Sequence, residues 1–193
     1  TPDYEDYLLD IWRRENLDDY WKQVGLCAEE YYEVFSDVPQ VHMSAWYDPY
    51  SRTATDNYKV LSSSKKGPVT LLMGPWTHGA RSVTYSGDAD FGQAAVLGGN
   101  LAIDFNHLRL RFFDRWLKGT GNGLENEPPV KLFVMGGGSG RKNPQHRLDH
   151  GGQWRSESEW PLARAQETPF YLIPGGTLST HAPTGLNPPS KYL

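Results

Sequence analysis

The sequence is poor in cysteine, in long apolar runs and in excess charge of either sign, and each shortage excludes something. Cys27 is the only cysteine in 193 residues, so no disulfide can form within the chain and the cellular compartment is undetermined. No apolar run approaches the roughly 18 residues that a membrane-spanning helix needs. The net charge of −4 gives no electrostatic reason to bind nucleic acid or an anionic membrane. We therefore expect neither nucleic acid nor a membrane as a partner.

Aromatic residues are abundant, with 7 Trp and 11 Tyr, and the chain is long enough for one large domain with a sizeable core. Its ends are unusual. It begins at Thr1, without an initiator Met or a signal-peptide pattern, inside an acidic helical segment. It ends in NPPSKYL, a Pro-rich stretch typical of a loop. These ends predict a piece of a longer protein.

Residues 4–35 predict helices. Apolar residues recur there at three- and four-residue spacing with charged residues between them, and no Gly or Pro interrupts the pattern before Gly25. The residues of this pattern are Leu8, Ile11, Trp12, Leu17 and Trp21. A second short helix is predicted over CAEEYYEVF.

Residues 38–118 alternate between strand and helix patterns. VPQVHMSAWYD is apolar with β-branched residues and predicts a strand, and SRTATDNYKVLSSSKK after it predicts a helix. PVTLLMGPWTH is nearly continuously apolar, as is typical of a parallel strand covered on both faces. After a Gly- and Asp-rich loop, NLAIDFNHLRLRFFDRWLKG predicts a further helix that ends at Gly119. This order is typical of an α/β sheet.

Residues 119–193 change character again. GTGNGLENEPP is typical of a linker, and the runs VKLFVMGGG, GQWRSESEWPL and TPFYLIPGGTLST are short, strand-like and separated by turn residues. They predict the beginning of an all-β sandwich.

Two ionisable residues follow the predicted strands directly. Asp48 comes after SAWY and His78 after GPWT. Because the carboxyl ends of parallel strands meet at one edge of a sheet, where chemistry collects in α/β folds, we expect the two side chains to be close. A carboxylate on Nδ1 of a histidine fixes the tautomer of the ring and stabilises the imidazolium. Taken singly, Asp48 also suits a cap of the helix that begins near Tyr50, and His78 suits an ordinary loop.

The order of these residues adds to the argument. In α/β-hydrolases the triad runs Ser, then Asp or Glu, then His, with the serine on a G-x-S-x-G elbow. Asp48 and His78 fit the second and third places. No such elbow occurs in the sequence: Ser139 in GGGSGR has Arg141 where the last Gly belongs and lies downstream of the histidine. We therefore expect the nucleophile to lie outside this chain.

Several stretches together resemble the family that contains cocaine esterase, α-amino acid ester hydrolases, glutaryl acylases and X-Pro dipeptidyl-peptidases. They are WYD, GPWTHG, FFDRWLKG, PPVKLFVMG, and GGQWRSESEWPL followed by TPFYL. The resemblance implies an α/β fold, with a partial α/β-hydrolase sheet, the end of a helical cap and the start of a jelly-roll-like β-sandwich. On this mapping residues 1–36 end the cap, residues 37–118 are the last third of the hydrolase domain, and residues 119–193 are the linker and the first part of the β-domain.

The same resemblance implies the roles of individual residues. Asp48 would be the triad acid and His78 the general base of a serine hydrolase for esters or amides, of the esterase, acylase or X-Pro dipeptidyl-peptidase type. Its substrate would be a small ester, amide or peptide, and the mechanism requires no metal or organic cofactor. The family often has Gly where this chain has Ala45. That change affects packing at the strand end and leaves the acid in place.

Three further candidate residues each have two interpretations. Trp46 and Trp76 flank the two candidates and either line the acyl pocket or pack at the strand ends. Asp19 either binds a substrate ammonium group, as cap carboxylates do in the amino-ester hydrolases of the family, or lies on a helix surface. HRLDH lacks the H-E-x-x-H zinc pattern, and GDADFG lacks the Glu of a calcium loop, so we expect no metal site.

Two further expectations concern the chain as a whole. By itself it should be inactive as a hydrolase, because a base without a nucleophile has nothing to activate. Exposed sheet edges would make its stability depend on the remainder of the parent chain or on self-association as a homo-oligomer. The alternative function is a non-catalytic module that binds a partner or carbohydrate through aromatic residues of the β-region, namely Trp154, Trp160 and Tyr171.

Overall fold

The computed structural model describes residues 1–185, so the Pro-rich loop predicted for NPPSKYL lies outside the described residues. The described chain is mixed α/β and divides after Trp160 into two compact units. None of its helices in residues 1–185 has both the length and the apolar character that crossing a membrane requires.

The first unit has a four-stranded sheet at its centre. Its strands are β1 (Gln40–Tyr47), β2 (Val69–Thr77), β5 (Val130–Met135) and β7 (Gly152–Glu157), in the order β1-β2-β5-β7. The first three are parallel, and β7 runs antiparallel to β5. A small sheet of two-residue strands lies beside it: β3 (Tyr85–Ser86), β4 (Ala89–Asp90) and β6 (Leu148–Asp149).

Helix α2 (Ser51–Ser64) joins β1 to β2 and completes a βαβ unit, as the sequence pattern predicts. It buries Ala54, Tyr58 and Leu61. Helix α3 (Phe105–Lys118) packs Phe105 and Leu108 against a core cluster that contains Ala45, Leu72 and Trp76.

Helix α3 is capped at both ends, by Asp104 at its N-terminus and by Gly119 at its C-terminus. The carboxylate of Asp104 accepts the backbone N–H of His107 at 2.7 Å, which satisfies one donor of the first turn. Gly119 adopts φ +72°, the left-handed conformation that glycine takes at low cost, and so ends the helix.

The N-terminal region is less helical than its sequence pattern predicts. Helix α1 (Pro2–Arg13) ends well before Gly25, turns follow, and Ala28–Val34 is a short 3₁₀ helix. In one of these turns Oδ1 of Asp18 accepts the N–H groups of Tyr20 at 3.0 Å and Trp21 at 3.4 Å. Such side-chain bonds stabilise a turn in competition with the helix.

The region after residue 118 contributes two strands to the central sheet. Strands β5 and β7 extend the sheet of β1 and β2, so the sheet is continuous across the predicted boundary between hydrolase and β-domain. A short 3₁₀ helix, Leu124–Asn126, lies in the predicted linker. The second unit contains an antiparallel hairpin of β8 (Tyr171–Ile173) and β9 (Thr177–Ser179).

Candidate active site

Asp48 and His78 are adjacent because their strands are parallel and slightly out of register. Ala45 pairs with Gly74, but Tyr47 pairs with Thr77, so β2 has one extra residue over this interval. Without that irregularity Asp48 would stand beside Thr77. The extra residue lies at Pro75–Trp76, where proline lacks the N–H that a regular ladder needs. Each strand then ends one residue before its ionisable side chain.

The two side chains are in contact at this edge of the sheet. Nδ1 of His78 lies 3.1 Å from Oδ2 of Asp48. An ionised carboxylate can only accept, so the ring nitrogen that faces it carries the proton and Nε2 is left as the basic nitrogen. The Asp48 side chain is 7% exposed and that of His78 is 70% exposed. The acid is therefore fixed inside the protein while the imidazole faces outward.

Asp48 has a second partner. Its Oδ1 accepts the backbone N–H of Tyr50 at 2.9 Å, and its backbone carbonyl accepts the N–H of Ser51 at 3.1 Å. The carboxylate thus stabilises the start of α2 and contacts the histidine at the same time. The ring of Tyr50 contacts that of His78 edge-on, with centroids 5.4 Å apart.

A groove of about 440 Å³ begins at this pair and runs between β1 and α3. Its floor includes Val41, Met43 and Ala45 of the strand. The wall on the helix side is formed by Phe105, Leu108, Phe112 and Phe113. A groove that is mostly apolar and carries a few polar groups at one end is typical of sites for small organic molecules.

The two tryptophans have different positions. Trp76 lines the groove but is 3% exposed, and its Nε1 donates to the carbonyl of Ala95 at 2.8 Å. Its indole lies so close to Gly74 that a Cβ there would be 2.3 Å from the ring. Trp46 is not among the groove residues; its Nε1 donates to the carbonyl of Phe133 at 2.8 Å, across β2. Both indoles are therefore anchored as packing elements, and only Trp76 reaches the groove.

Asp19 lies apart from this groove in the described structure. It is exposed in the turn after α1 and is not among the groove residues. The neighbouring Asp18 forms an ion pair with Arg14 at 3.1 Å. Within residues 1–185 no group of three metal-ligating side chains comes together.

Two of the three aromatic residues of the alternative binding surface are engaged in packing within the first unit. Trp154 contacts Trp76, with ring centroids 5.6 Å apart, and Trp160 contacts Trp46 at 6.0 Å. Tyr171 belongs to the hairpin of the second unit. Trp154 and Trp160 thus support the sheet rather than forming a flat, free platform.

Sequence reasoning missed the residues that surround the pair. Tyr50 was assigned only to the helix start, although an aromatic residue two positions after an acid at a strand end is well placed to reach a neighbouring loop. Arg81, Phe105 and Arg109 also line the groove. Phe105 and Arg109 belong to α3. The face of α3 that packs on the sheet is predictable from the sequence, but the distance of that face from His78 is not.

A mixed α/β fold with an acid and a histidine in contact at the carboxyl edge of a parallel sheet is typical of hydrolases. Two family patterns match the sequence in succession. That of the X-Pro dipeptidyl-peptidases of the S15 family matches residues 2–80, which include both side chains. That of the X-Pro dipeptidyl-peptidase C-terminal non-catalytic domain matches residues 122–190.

Individual proteins of the same family are also similar to this chain in sequence or in fold. Cocaine esterase from Rhodococcus sp. (strain MB1 Bresler) is 30% identical over 164 residues, which are 80% of this chain and 25% of the esterase. Two crystal structures of a CocE/NonD family hydrolase from Staphylococcus aureus align with TM-scores of 0.57 and 0.50. They are 19% and 20% identical and cover 90% and 86% of this chain, but 25% and 24% of the hydrolase. At such identity they show the similarity of fold alone.

The chain belongs to the family of serine hydrolases that includes cocaine esterase and the X-Pro dipeptidyl-peptidases. It spans about a quarter of the length of the relatives it matches.

Proposed function

We propose that this chain supplies the acid and the general base of a serine hydrolase that cleaves an ester or an amide. The observation that carries the proposal is the contact of 3.1 Å between Asp48 and His78 at the head of the groove. No G-x-S-x-G elbow occurs in the 193 residues. The nucleophilic serine and its oxyanion hole are therefore proposed to belong to another part of the parent enzyme.

The proposed mechanism proceeds through an acyl-enzyme. Nε2 of His78 takes the proton of the serine hydroxyl as the oxygen attacks the substrate carbonyl, and it then gives that proton to the leaving alcohol or amine. Asp48 keeps the proton of the ring on Nδ1 and stabilises the imidazolium that forms. In the second half His78 deprotonates water, which attacks the acyl-enzyme, and the histidine then returns this proton to the serine oxygen as the acid leaves. Proton transfer and nucleophilic attack by side chains are sufficient for this chemistry.

The groove supports a small organic substrate. The apolar wall of Phe105, Phe112 and Phe113 is suited to an aliphatic or aromatic group next to the scissile carbonyl. The family contains esterases and X-Pro dipeptidyl-peptidases, so we propose that the bond is an ester or an amide of an acyl-peptide or acyl-amino compound.

The test is intact-mass analysis of the complete parent enzyme after reaction with a fluorophosphonate probe. We expect one adduct on a serine outside this chain, and no adduct in the His78→Ala variant. His181→Ala, which changes an exposed histidine of the second unit, is the matched control and should label normally. A complete enzyme that does not label would contradict the proposal and favour a binding module.

A further inference from the structure

The irregularity of β2 that aligns His78 with Asp48 is contacted by a buried hydroxyl from another strand. Oγ of Ser86 donates to the backbone carbonyl of Pro75 at 2.7 Å, and Ser86 is 5% exposed. Pro75 is fully buried and lies where β2 has its extra residue. An extra residue interrupts a ladder and leaves backbone groups without their regular partners. Because a buried carbonyl without a donor costs free energy, the hydroxyl stabilises the irregular conformation.

The neighbouring residue of the irregularity, Trp76, is bound to the same segment of the chain. Its Nε1 donates to the carbonyl of the buried residue Ala95 at 2.8 Å. Ser86 and Ala95 both follow His78 in the sequence. The segment after the histidine therefore folds back and makes two hydrogen bonds to the strand that precedes it.

The segment that carries Ser86 is itself fixed by the small sheet. Ser86 of β3 pairs with Ala89 of β4. Oδ2 of Asp90 accepts the amide Nδ2 of Asn143 at 2.7 Å, and the carbonyl of Asp90 accepts the N–H of His150 at 2.8 Å. The hydroxyl of Ser86 is thus presented to Pro75 by a hydrogen-bonded support.

We propose that Ser86 is a positioning residue of the hydrolase. Its hydroxyl holds the carbonyl of Pro75, so that β2 keeps its extra residue and presents the imidazole of His78 to Asp48. The proposal rests on the function proposed above, because it concerns the same pair. Ser86 does not line the groove and acts through the strand. Pro75 lies three residues before His78, and a displacement of about 1 Å in a catalytic group can cost about 10²-fold in rate.

The alternative role for this hydroxyl is general stabilisation of the fold, with no effect on the catalytic pair. The chain provides a comparison for it: Nδ2 of Asn122 donates to the carbonyl of Arg111 at 2.7 Å. This bond also joins a side chain to a backbone carbonyl and has the same length, and neither residue lines the groove. Replacing Asn122 therefore measures the effect of losing such a bond by itself.

The test measures two properties of the complete parent enzyme. The first is the hydrolysis of 4-nitrophenyl butyrate: Ser86→Ala should lower kcat about tenfold to a hundredfold and change KM by less than about twofold, since the groove walls are unaltered. The second is the downfield proton NMR resonance of the Nδ1–H of His78, assigned by its absence in His78→Ala. In Ser86→Ala this resonance should move upfield, because the N–H no longer donates to Asp48 in a fixed geometry. Partial unfolding would lower its intensity without moving it.

Further variants assign these effects to the hydroxyl. Ser86→Thr keeps the hydroxyl and should retain most of the turnover and the position of the resonance. Asn122→Ala should leave both properties unchanged. If Ser86→Ala does not fold, Ser86→Cys still provides a test. Its side chain is similar in size and its S–H group is a weak donor, so both properties should change in the same direction by a smaller amount.

Other outcomes overturn the proposal. If the wild-type enzyme labels with the fluorophosphonate probe, but Ser86→Ala leaves kcat and the resonance of His78 unchanged, Ser86 has no positioning role and the proposed function stands. A fall in kcat with an unmoved resonance would contradict the proposal in the same way, because the loss would not arise at the pair. A wild-type enzyme that neither labels nor shows a downfield resonance dependent on His78 would overturn both proposals.

Discussion

Tyr50 contacts both members of the proposed catalytic pair, Asp48 through its backbone and His78 through its side chain. Its backbone N–H donates to Oδ1 of Asp48 at 2.9 Å, and its ring meets that of His78 with centroids 5.4 Å apart and planes inclined by 66°. The acid and the base are therefore oriented by one residue at the start of α2. The backbone contact is independent of the side chain, so the two contributions are separable by substitution.

The ring of Tyr50 is the first target for a test. Tyr50→Ala removes the contact with His78 and keeps the N–H, and it should lower kcat about two- to tenfold, as expected for loss of an aromatic pair. Tyr50→Phe keeps the ring and should retain most of the turnover. Steady-state kinetics of the complete enzyme measures both. An equal loss in the two variants would mean that the hydroxyl, rather than the ring, is what matters.

The carboxylate of Asp48 is the second target. In Asp48→Asn the amide no longer enforces the Nδ1–H tautomer, and we expect kcat of the complete enzyme to fall on the order of 10⁴-fold. Asp56→Asn is the matched control, because Asp56 pairs with Arg52 on the exposed surface of α2. A loss of less than tenfold at Asp48 would reduce its role to stabilising the start of α2.

A third prediction concerns the acid stability of the connection between α3 and β5. Burial alone raises the pKa of Glu127, but hydrogen bonds and charge from Lys131 and Arg111 outweigh it and leave the pKa below its ordinary value of 4.5. Because the folded-state pKa is the lower one, the stabilisation is complete above about pH 4.5 and is lost as the pH falls through the folded-state pKa.

Glu127→Gln removes this pH-dependent contribution. At pH 7 the variant should have a lower free energy of unfolding than the wild type. As the pH falls below 5, its free energy of unfolding should decrease less than that of the wild type. Urea unfolding at a series of pH values measures the difference. Two parallel curves of stability against pH would contradict the assignment. Glu125→Gln, a substitution in the same linker, is a suitable comparison.

The last prediction concerns the central strand. Leu71 is 0% exposed in β2, where it pairs with His42 of β1 and Val130 of β5. Leu71→Ala should lower the free energy of unfolding by about 2–5 kcal/mol through lost burial and the cavity left behind. Leu110→Ala, at a position 53% exposed on α3, should change it by less than about 0.5 kcal/mol. Urea unfolding measures both, and similar values for the two leucines would contradict the assigned core.

Local patterns predicted the elements of the first unit that matter most. Residues 40–47, 51–64 and 69–77 form the strand, helix and strand that their apolar patterns and turn residues indicate. The proximity of Asp48 to His78 was predictable too, since both follow parallel strands that adjoin along the chain. These features depend on short-range sequence and on a general property of α/β sheets.

Long-range contacts were not predictable in the same way. Trp46 donates to Phe133, 87 positions away, and nothing in either stretch indicates the partner. β5 joins the edge of β2 although its sequence equally suits a strand of a separate sandwich. Side-chain bonds of Asp18 to Tyr20 and Trp21 stabilise a turn where the apolar pattern predicts a continuing helix.

The irregular register between β1 and β2 has a consequence for how this site tolerates change. Between its pairs Ala45–Gly74 and Tyr47–Thr77, the ladder has one more residue on β2 than on β1. The acid and the histidine are in contact because of this extra residue. Insertions in the connection between Lys65 and Pro68 would leave that alignment intact, since they lie outside the paired segment. Loss of a single residue at Pro75 would instead bring the hydroxyl of Thr77 to Asp48. The number of residues within β2 thus determines which side chain lies beside the carboxylate, and the length of the preceding loop does not affect it.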